Sequence, residues 1–292
     1  MKRVLICILC ILMAGGCVQR VPVVQEPVQT ESTPTQTPAA APAVVELVVT
    51  VGPTATPVPT PTATPEPTPT PSPEPTPTPT PSPDPNRLMV ALTFDDGPNN
   101  HYTMQFLDVL EKYGVRATFF VLASAIHEDN WDILKRMASL GCEIGAHGQN
   151  HEMMTGFNAT ENAKRLERTR QEIDEAVGGY ETHLMRPPGG NRNNNVLRGA
   201  KAAEMAVVLW SVDSADWKVR NRTKILDTVK TKIENGSIVL FHDRIQQTLE
   251  AIDELIPWLL DQGYELVTVS ELLQRDGSEI EYGEVYRKKT VE

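Results

Sequence analysis

After Asn86 the chain settles into short apolar runs separated by longer amphipathic stretches. The runs 89–94, 117–122, 142–146, 184–186, 207–210, 237–241 and 265–269 have the length and character of strands. Between them, 101–113, 131–140, 160–177, 194–205, 223–234 and 248–260 read as helices. Phe106, Leu107 and Leu110 make one buried stripe at helical spacing, and Ile252, Leu255, Leu259 and Leu260 make another. Gly114, Gly141, Gly178, Gly236 and Gly263 stand at helix ends, where a left-handed cap favours glycine. Strand and helix alternating about seven times predict an α/β fold on a parallel sheet. That number of repeats favours a (β/α) barrel over an open sheet. Such barrels build their sites where strands end, so the residues following each apolar run carry the functional information.

The chain before this region differs in composition. Lys2 and Arg3 precede an apolar stretch, 4–13, and Ala14-Gly15-Gly16 lead to Cys17, so residues 1–17 are expected to be a secretory signal peptide. The apolar core falls short of the roughly 20 residues that span a bilayer. Ala14-Gly15-Gly16-Cys17 also resembles a bacterial lipobox, with Ala14 where Leu is usual. Cys17 is thus a candidate for lipidation, and the only membrane attachment expected is through it. Residues 18–86 are dominated by Pro, Thr, Ala and Val, ending in a Thr-Pro alternation over 57–85. Such a segment has little to bury and each Pro fixes φ, so a disordered, extended linker is expected. At about 3.1 Å per residue the Thr-Pro part reaches on the order of 90 Å. It reads equally as a stalk holding a domain off a membrane and as an inert spacer. The apolar run 44–49 within it suggests no more than a docking strand. Residues 87–275 are expected to form the one globular domain, and 276–292 a polar tail.

Of the 4 cysteines only Cys142 falls in the globular region, so no disulfide framework can form there, and its place in an apolar run makes it a core residue. A formal net charge of −11 argues against a nucleic-acid partner, because phosphate backbones are bound by surplus Lys and Arg. A monomer is expected.

Five stretches lie where apolar runs end: Thr93-Phe94-Asp95-Asp96-Gly97, His147-Gly148-Gln149-Asn150-His151, Arg186-Pro187-Pro188-Gly189-Gly190, Asp213-Ser214-Ala215-Asp216-Trp217 and Leu240-Phe241-His242-Asp243. Asp-Asp-Gly-Pro alone is a common turn signal. His147 and His151, four residues apart, can set two imidazoles on one metal. With Asp96 they make a set of two histidines and one carboxylate, which suits Zn²⁺ or another borderline divalent ion in a hydrolytic role.

With these motifs in this order, residues 88–273 resemble a polysaccharide deacetylase of the NodB-homology type, carbohydrate esterase family 4. Leu107-Asp108-Val109-Leu110-Glu111-Lys112-Tyr113-Gly114 and Ala117-Thr118-Phe119-Phe120-Val121 add to the resemblance. It implies a distorted, seven-stranded NodB-type (β/α) barrel holding one divalent ion, Zn²⁺ first and Co²⁺, Ni²⁺ or Mn²⁺ next, on Asp96, His147 and His151. It makes Asp95 the general base with Arg186 paired to it, and His242 the general acid oriented by Asp216. It gives the Pro188–Gly189 loop to substrate, with the Gly189 backbone N–H holding the oxyanion, and has Leu240 line the pocket of the acetyl methyl group. Trp217 becomes a wall of the site, or else a buried structural Trp. The implied activity is removal of N-acetyl groups from N-acetylglucosamine-type residues of an acetylated cell-wall polysaccharide, above all peptidoglycan, by metal-activated water. The implied setting is the cell wall or the outer face of a bacterial membrane. An O-acetyl esterase acting on acetylxylan or another glycan, and a non-catalytic glycan-binding module, are the alternatives. Gly148 departs from the usual Ser or Thr and Gly189 from a common aromatic, which bears on substrate shape and rate more than on metal binding.

Overall fold

The computed structural model describes residues 87–290. The expected signal peptide with Cys17, the linker and its apolar run 44–49 lie outside the described residues. Strands β1 (Leu88–Gly97), β2 (Thr118–Val121), β3 (Glu143–Ala146), β4 (Leu184–Met185) and β5 (Ala206–Val208) alternate with helices α1 (Thr103–Tyr113), α2 (Trp131–Ser139), α3 (Ala159–Val177) and α4 (Asn194–Ala202). The chain continues through β6 (Val212–Asp213), α5 (Asp216–Val219), α6 (Arg222–Lys232), β7 (Ile238–His242), α7 (Gln246–Asp261), β8 (Tyr264–Leu266), α8 (Val269–Leu273) and β9 (Val285–Tyr286). No described helix is long and apolar enough to cross a membrane.

All strand pairings are parallel, in the order β6-β7-β1-β2-β3-β4-β5-β9, with β8 pairing the start of β1. The sheet curls into a distorted barrel, and its nine strands replace the seven expected. The two extra strands, β6 and β9, have two residues each, too few to show a period. Of residues 276–292, expected as a polar tail, the described part, 276–290, instead places β9 against β5. Lys288 then bridges to Ser237, and the Lys289 N–H donates to Gly236 O at 2.9 Å, which draws the end of the chain toward the start of β7. The expected strand 265–269 is also shorter, since Thr268 caps α8 by accepting from the Glu271 N–H while Glu271 accepts from the Thr268 N–H.

β1 explains how an apolar strand comes to end in chemistry. Alternate side chains of a strand point to opposite faces. Val90, Leu92 and Phe94 face the helices and join Phe106, Leu110, Phe119, Ile252 and Leu255 in the main core. Met89 and Ala91 face the interior of the curl, with Phe120, Leu184, Ala206, Val208 and Ile238. Thr93 and Asp95 continue that inward row beyond the apolar floor and are buried. One periodicity therefore gives the strand its anchoring face and aims a carboxylate into the barrel mouth.

Candidate active site

Neighbouring strands end in step. Asp95 lies beside Phe120 of β2 and His242 of β7. The Leu122 N–H donates to Gly97 O at 2.9 Å, the His147 N–H to Val121 O at 2.8 Å and the Arg186 N–H to Ala146 O at 2.8 Å. Each motif thus begins where the ladder hands its bond to the next strand, and the five meet at one rim. They border a cavity of about 620 Å³ lined by Asp95, Asp96, His147, His151, Gly189 and His242, among others.

At the end of β1 the register slips between Asp95 and Gly97, and Asp96 takes a left-handed backbone (φ 75°) that Asp tolerates better than most residues. The two carboxylates consequently have different neighbours. Asp95 Oδ1 accepts from Arg186 Nη1 at 2.7 Å. Asp96 Oδ1 lies 3.5 Å from His147 Nε2 and 3.6 Å from His151 Nε2. Glycine is required at 97, because a Cβ there would come within 2.4 Å of the Asp243 carboxylate.

Arg186 is wholly buried, and every nitrogen of its guanidinium has an acceptor. Besides Asp95, Nη1 donates to Thr93 Oγ1 at 2.7 Å, Nε to Val208 O at 3.2 Å and Nη2 to Leu209 O at 3.0 Å. Its plane lies over Phe120, 4.2 Å from the ring centroid. Burial lowers the Arg186 pKa while Asp95 opposes that shift, so the buried charge is tied to one carboxylate.

One ligand atom each from Asp96, His147 and His151 lie within 4.8 Å of one another. Two local observations fit this group to a divalent ion. Asp96 Oδ1 is buried with no hydrogen-bond donor, an orphan acceptor between two imidazoles. The His147 Nδ1 atom faces the Arg186 carbonyl at 2.8 Å, and since a carbonyl only accepts, that nitrogen carries the proton and Nε2 offers a lone pair. Burial lowers the His147 pKa against the pull of Asp95 and Asp96, which favours the neutral, ligating form. His151, also left-handed at φ 60°, has half its side chain in solvent.

Across the cavity, His242 Nδ1 faces Asp216 Oδ1 at 2.8 Å; the carboxylate can only accept, so Nε2 is left for the cavity. Asp216 is fully buried, and its oxygens also take the Trp217 N–H at 2.7 Å, the His242 backbone N–H at 2.8 Å and the Thr248 hydroxyl at 2.8 Å. Burial works against a charge on His242, but the hydrogen bond and charge of Asp216 outweigh it and raise the pKa to about 9.

The remaining candidates fall into two groups. Gly189, Trp217 and Leu240 line the cavity, whereas Pro188 is buried and is not on its lining. Trp217 is 54% exposed, which excludes a buried structural role. Gly148 has φ 83°, and a Cβ there would find nothing nearer than 3.7 Å, so its backbone rather than lack of room disfavours a Ser. Reading the sequence missed Trp210, Asp213, Arg220, Arg244 and Ile245 on the lining, and Thr93, Thr248 and Asp243 as supports. Thr93, Asp213 and Asp243 sit inside the quoted motifs, a signal that was present but unused.

A family profile described as polysaccharide deacetylase matches residues 82–208. The chain is 44% identical over 187 residues to the peptidoglycan-N-acetylmuramic acid deacetylase PdaC of Bacillus subtilis, an alignment covering 64% of this chain and 39% of PdaC. A solved structure of PdaC has 41% identity and a TM-score of 0.62, covering 66% of this chain and 93% of that one. A peptidoglycan-N-acetylglucosamine deacetylase of Bacillus cereus is 36% identical over 194 residues, covering 65% of this chain and 90% of its own. The structure of a family 4 acetyl xylan esterase from Clostridium thermocellum, in complex with a cobalt ion, has 30% identity and a TM-score of 0.64, covering 68% and 98% of the two chains. The shared barrel, the coincident strand ends and these relatives together establish that the chain belongs to the NodB-type polysaccharide deacetylases of carbohydrate esterase family 4.

Proposed function

We propose that the chain is a metal-dependent hydrolase that removes N-acetyl groups from N-acetylglucosamine-type residues of a cell-wall polysaccharide, above all peptidoglycan. One observation carries this reading. Asp95, held by Arg186, stands beside the Asp96, His147 and His151 cluster in the cavity that His242, held by Asp216, also lines. A base, a metal-ligand set and an acid thus share one site.

Asp96, His147 and His151 would hold the ion, Zn²⁺ for preference. Bound there, a divalent ion supplies Lewis-acid polarisation and lowers the pKa of water. Asp95 takes a proton from the attacking water, and Arg186 holds that carboxylate in place. The Gly189 backbone N–H faces the developing oxyanion, in a loop whose left-handed residue, φ 63°, suits glycine. His242 then passes its Nε2 proton to the departing nitrogen, a step amide cleavage needs because an unprotonated amine leaves poorly. Trp217 and Leu240 bound the space for the acetyl methyl group. The domain works as a monomer outside the cell, tethered through Cys17 where that residue is acylated.

Acetate release from peptidoglycan, chitooligosaccharides and acetylxylan, with metal content measured on the same sample, tests the proposal. Release from the amide substrates, lost on chelation and restored by Zn²⁺ or Co²⁺, is expected; full activity after complete metal removal overturns it. Likeness to an acetyl xylan esterase favours a second reading, O-deacetylation, which wins if acetylxylan alone is turned over. Binding without turnover of any substrate would mark a glycan-binding module.

A further inference from the structure

The carboxylates around the cavity already have partners. Asp95 has Arg186, Asp216 has His242, and Asp213 Oδ1 accepts from the Ala215 N–H at 2.7 Å. Asp96 faces the two imidazoles. Two further guanidinium groups line the same cavity: Arg220, just after α5, and Arg244, just after β7. Arg220 holds a left-handed backbone, φ 40°, which is strained for a residue with a Cβ, and strain of this kind collects at functional sites. Among the described residues its side chain has no ion-pair or hydrogen-bond partner. The Arg244 side chain is 51% exposed, and its Nη1 stays 3.7 Å from Asp96 Oδ2, too far for a hydrogen bond.

A dication held by Asp96 would claim the charge that now attracts Arg244. Arg220 would then border the cavity with no carboxylate partner and Arg244 with only a carboxylate shared with the ion, on a chain whose net charge is −11. A neutral sugar can accept hydrogen bonds from these groups but leaves their charge unmatched, whereas a carboxylate answers both. The planar fork of arginine matches a carboxylate in two parallel hydrogen bonds, and cations in a cleft attract anions to it.

We propose that Arg220 and Arg244 form an anion-reading edge of the cavity, selecting N-acetylated sugars that carry a carboxylate, as muramic acid does, over neutral ones. This rests on the deacetylase reading and adds the substrate class to it. Three substrates of equal length test it: a peptide-free glycan fragment containing N-acetylmuramic acid, the same fragment methyl-esterified at its carboxylate, and a chitooligosaccharide.

The wild type is expected to favour the acid over the ester by tenfold or more in kcat/KM. Arg220→Asn, chosen because Asn tolerates the left-handed backbone, and Arg244→Gln should each lower that ratio, and the double variant should bring it near one. Metal content and melting temperature are read on each variant, and the single variants decide if the double variant does not fold. A wild-type ratio of one or less, or a ratio untouched by the substitutions, overturns the proposal. No acetate from any substrate would sink the deacetylase reading instead. Calorimetry would then decide the arginine edge: tighter binding of acid than ester, lost in the variants, supports it, and equal binding refutes it.

Discussion

Asp216 holds His242 twice, taking the ring Nδ1–H on one oxygen and the backbone N–H of the same residue on the other, each at 2.8 Å. The imidazole is thereby fixed in tautomer and position at the end of β7, with Nε2 left for the cavity. This pairing raises the His242 pKa to about 9. Because the folded-state value lies above the ordinary 6.5, the stability it contributes is complete below about pH 6.5 and is lost as pH rises through about 9. In Asp216→Asn, burial loses its largest counterweight and is opposed only by the charges of Asp95 and Asp96, so the His242 titration should fall well below about 9. An NMR pH titration of the ring, with the alkaline limb of the activity profile, checks this; an unmoved titration would contradict the pairing.

Arg186 and Asp95 should behave as one unit. Removing the cation in Arg186→Ala leaves a buried carboxylate uncompensated, which costs about 3–5 kcal/mol. Denaturant unfolding should register that loss, together with nearly complete loss of acetate release. Asp95→Asn keeps the shape but removes the base, and should lower kcat about 10²–10⁴-fold.

Metal should follow the histidines. Wild-type protein is expected to carry one divalent ion, and His147→Ala, which removes both a ligand and the contact to the Arg186 carbonyl, should weaken binding by more than about tenfold. Elemental analysis after dialysis against a metal buffer reads this directly, whatever the activity.

Close packing beneath the site gives a backbone test. Gly97→Ala would push a methyl group to within 2.4 Å of the Asp243 carboxylate, and should destabilise by about 1–3 kcal/mol. Gly156→Ala meets nothing within 4 Å and should stay within about 0.5 kcal/mol of wild type. Equal melting temperatures for the two variants would refute the contact.

Much of this was legible because strands buried on both faces read as unbroken apolar runs, and the chemistry follows directly where they stop, as in Ile144-Gly145-Ala146-His147. Legibility failed where an element is two residues long, as in Val212–Asp213 and Val285–Tyr286. It also failed where one local signal hid another. Thr268 and Glu271 spell a helix cap, but the apolar residues before them extended the strand on paper. Arg220 and Arg244 were invisible for a different reason: they share a cavity only because Asp216, at the start of α5, is bonded to His242, at the end of β7, and neither arginine carries a local pattern.

The seam made by Val285, Tyr286, Lys288 and Lys289 also bears on where this domain can be cut. A protein truncated after residue 275, as composition suggests, would strip β5 of its outer partner and lay bare a row of backbone donors and acceptors that invites pairing with a second molecule. Recombinant versions should therefore retain the chain through Lys289, with any purification handle fused beyond it.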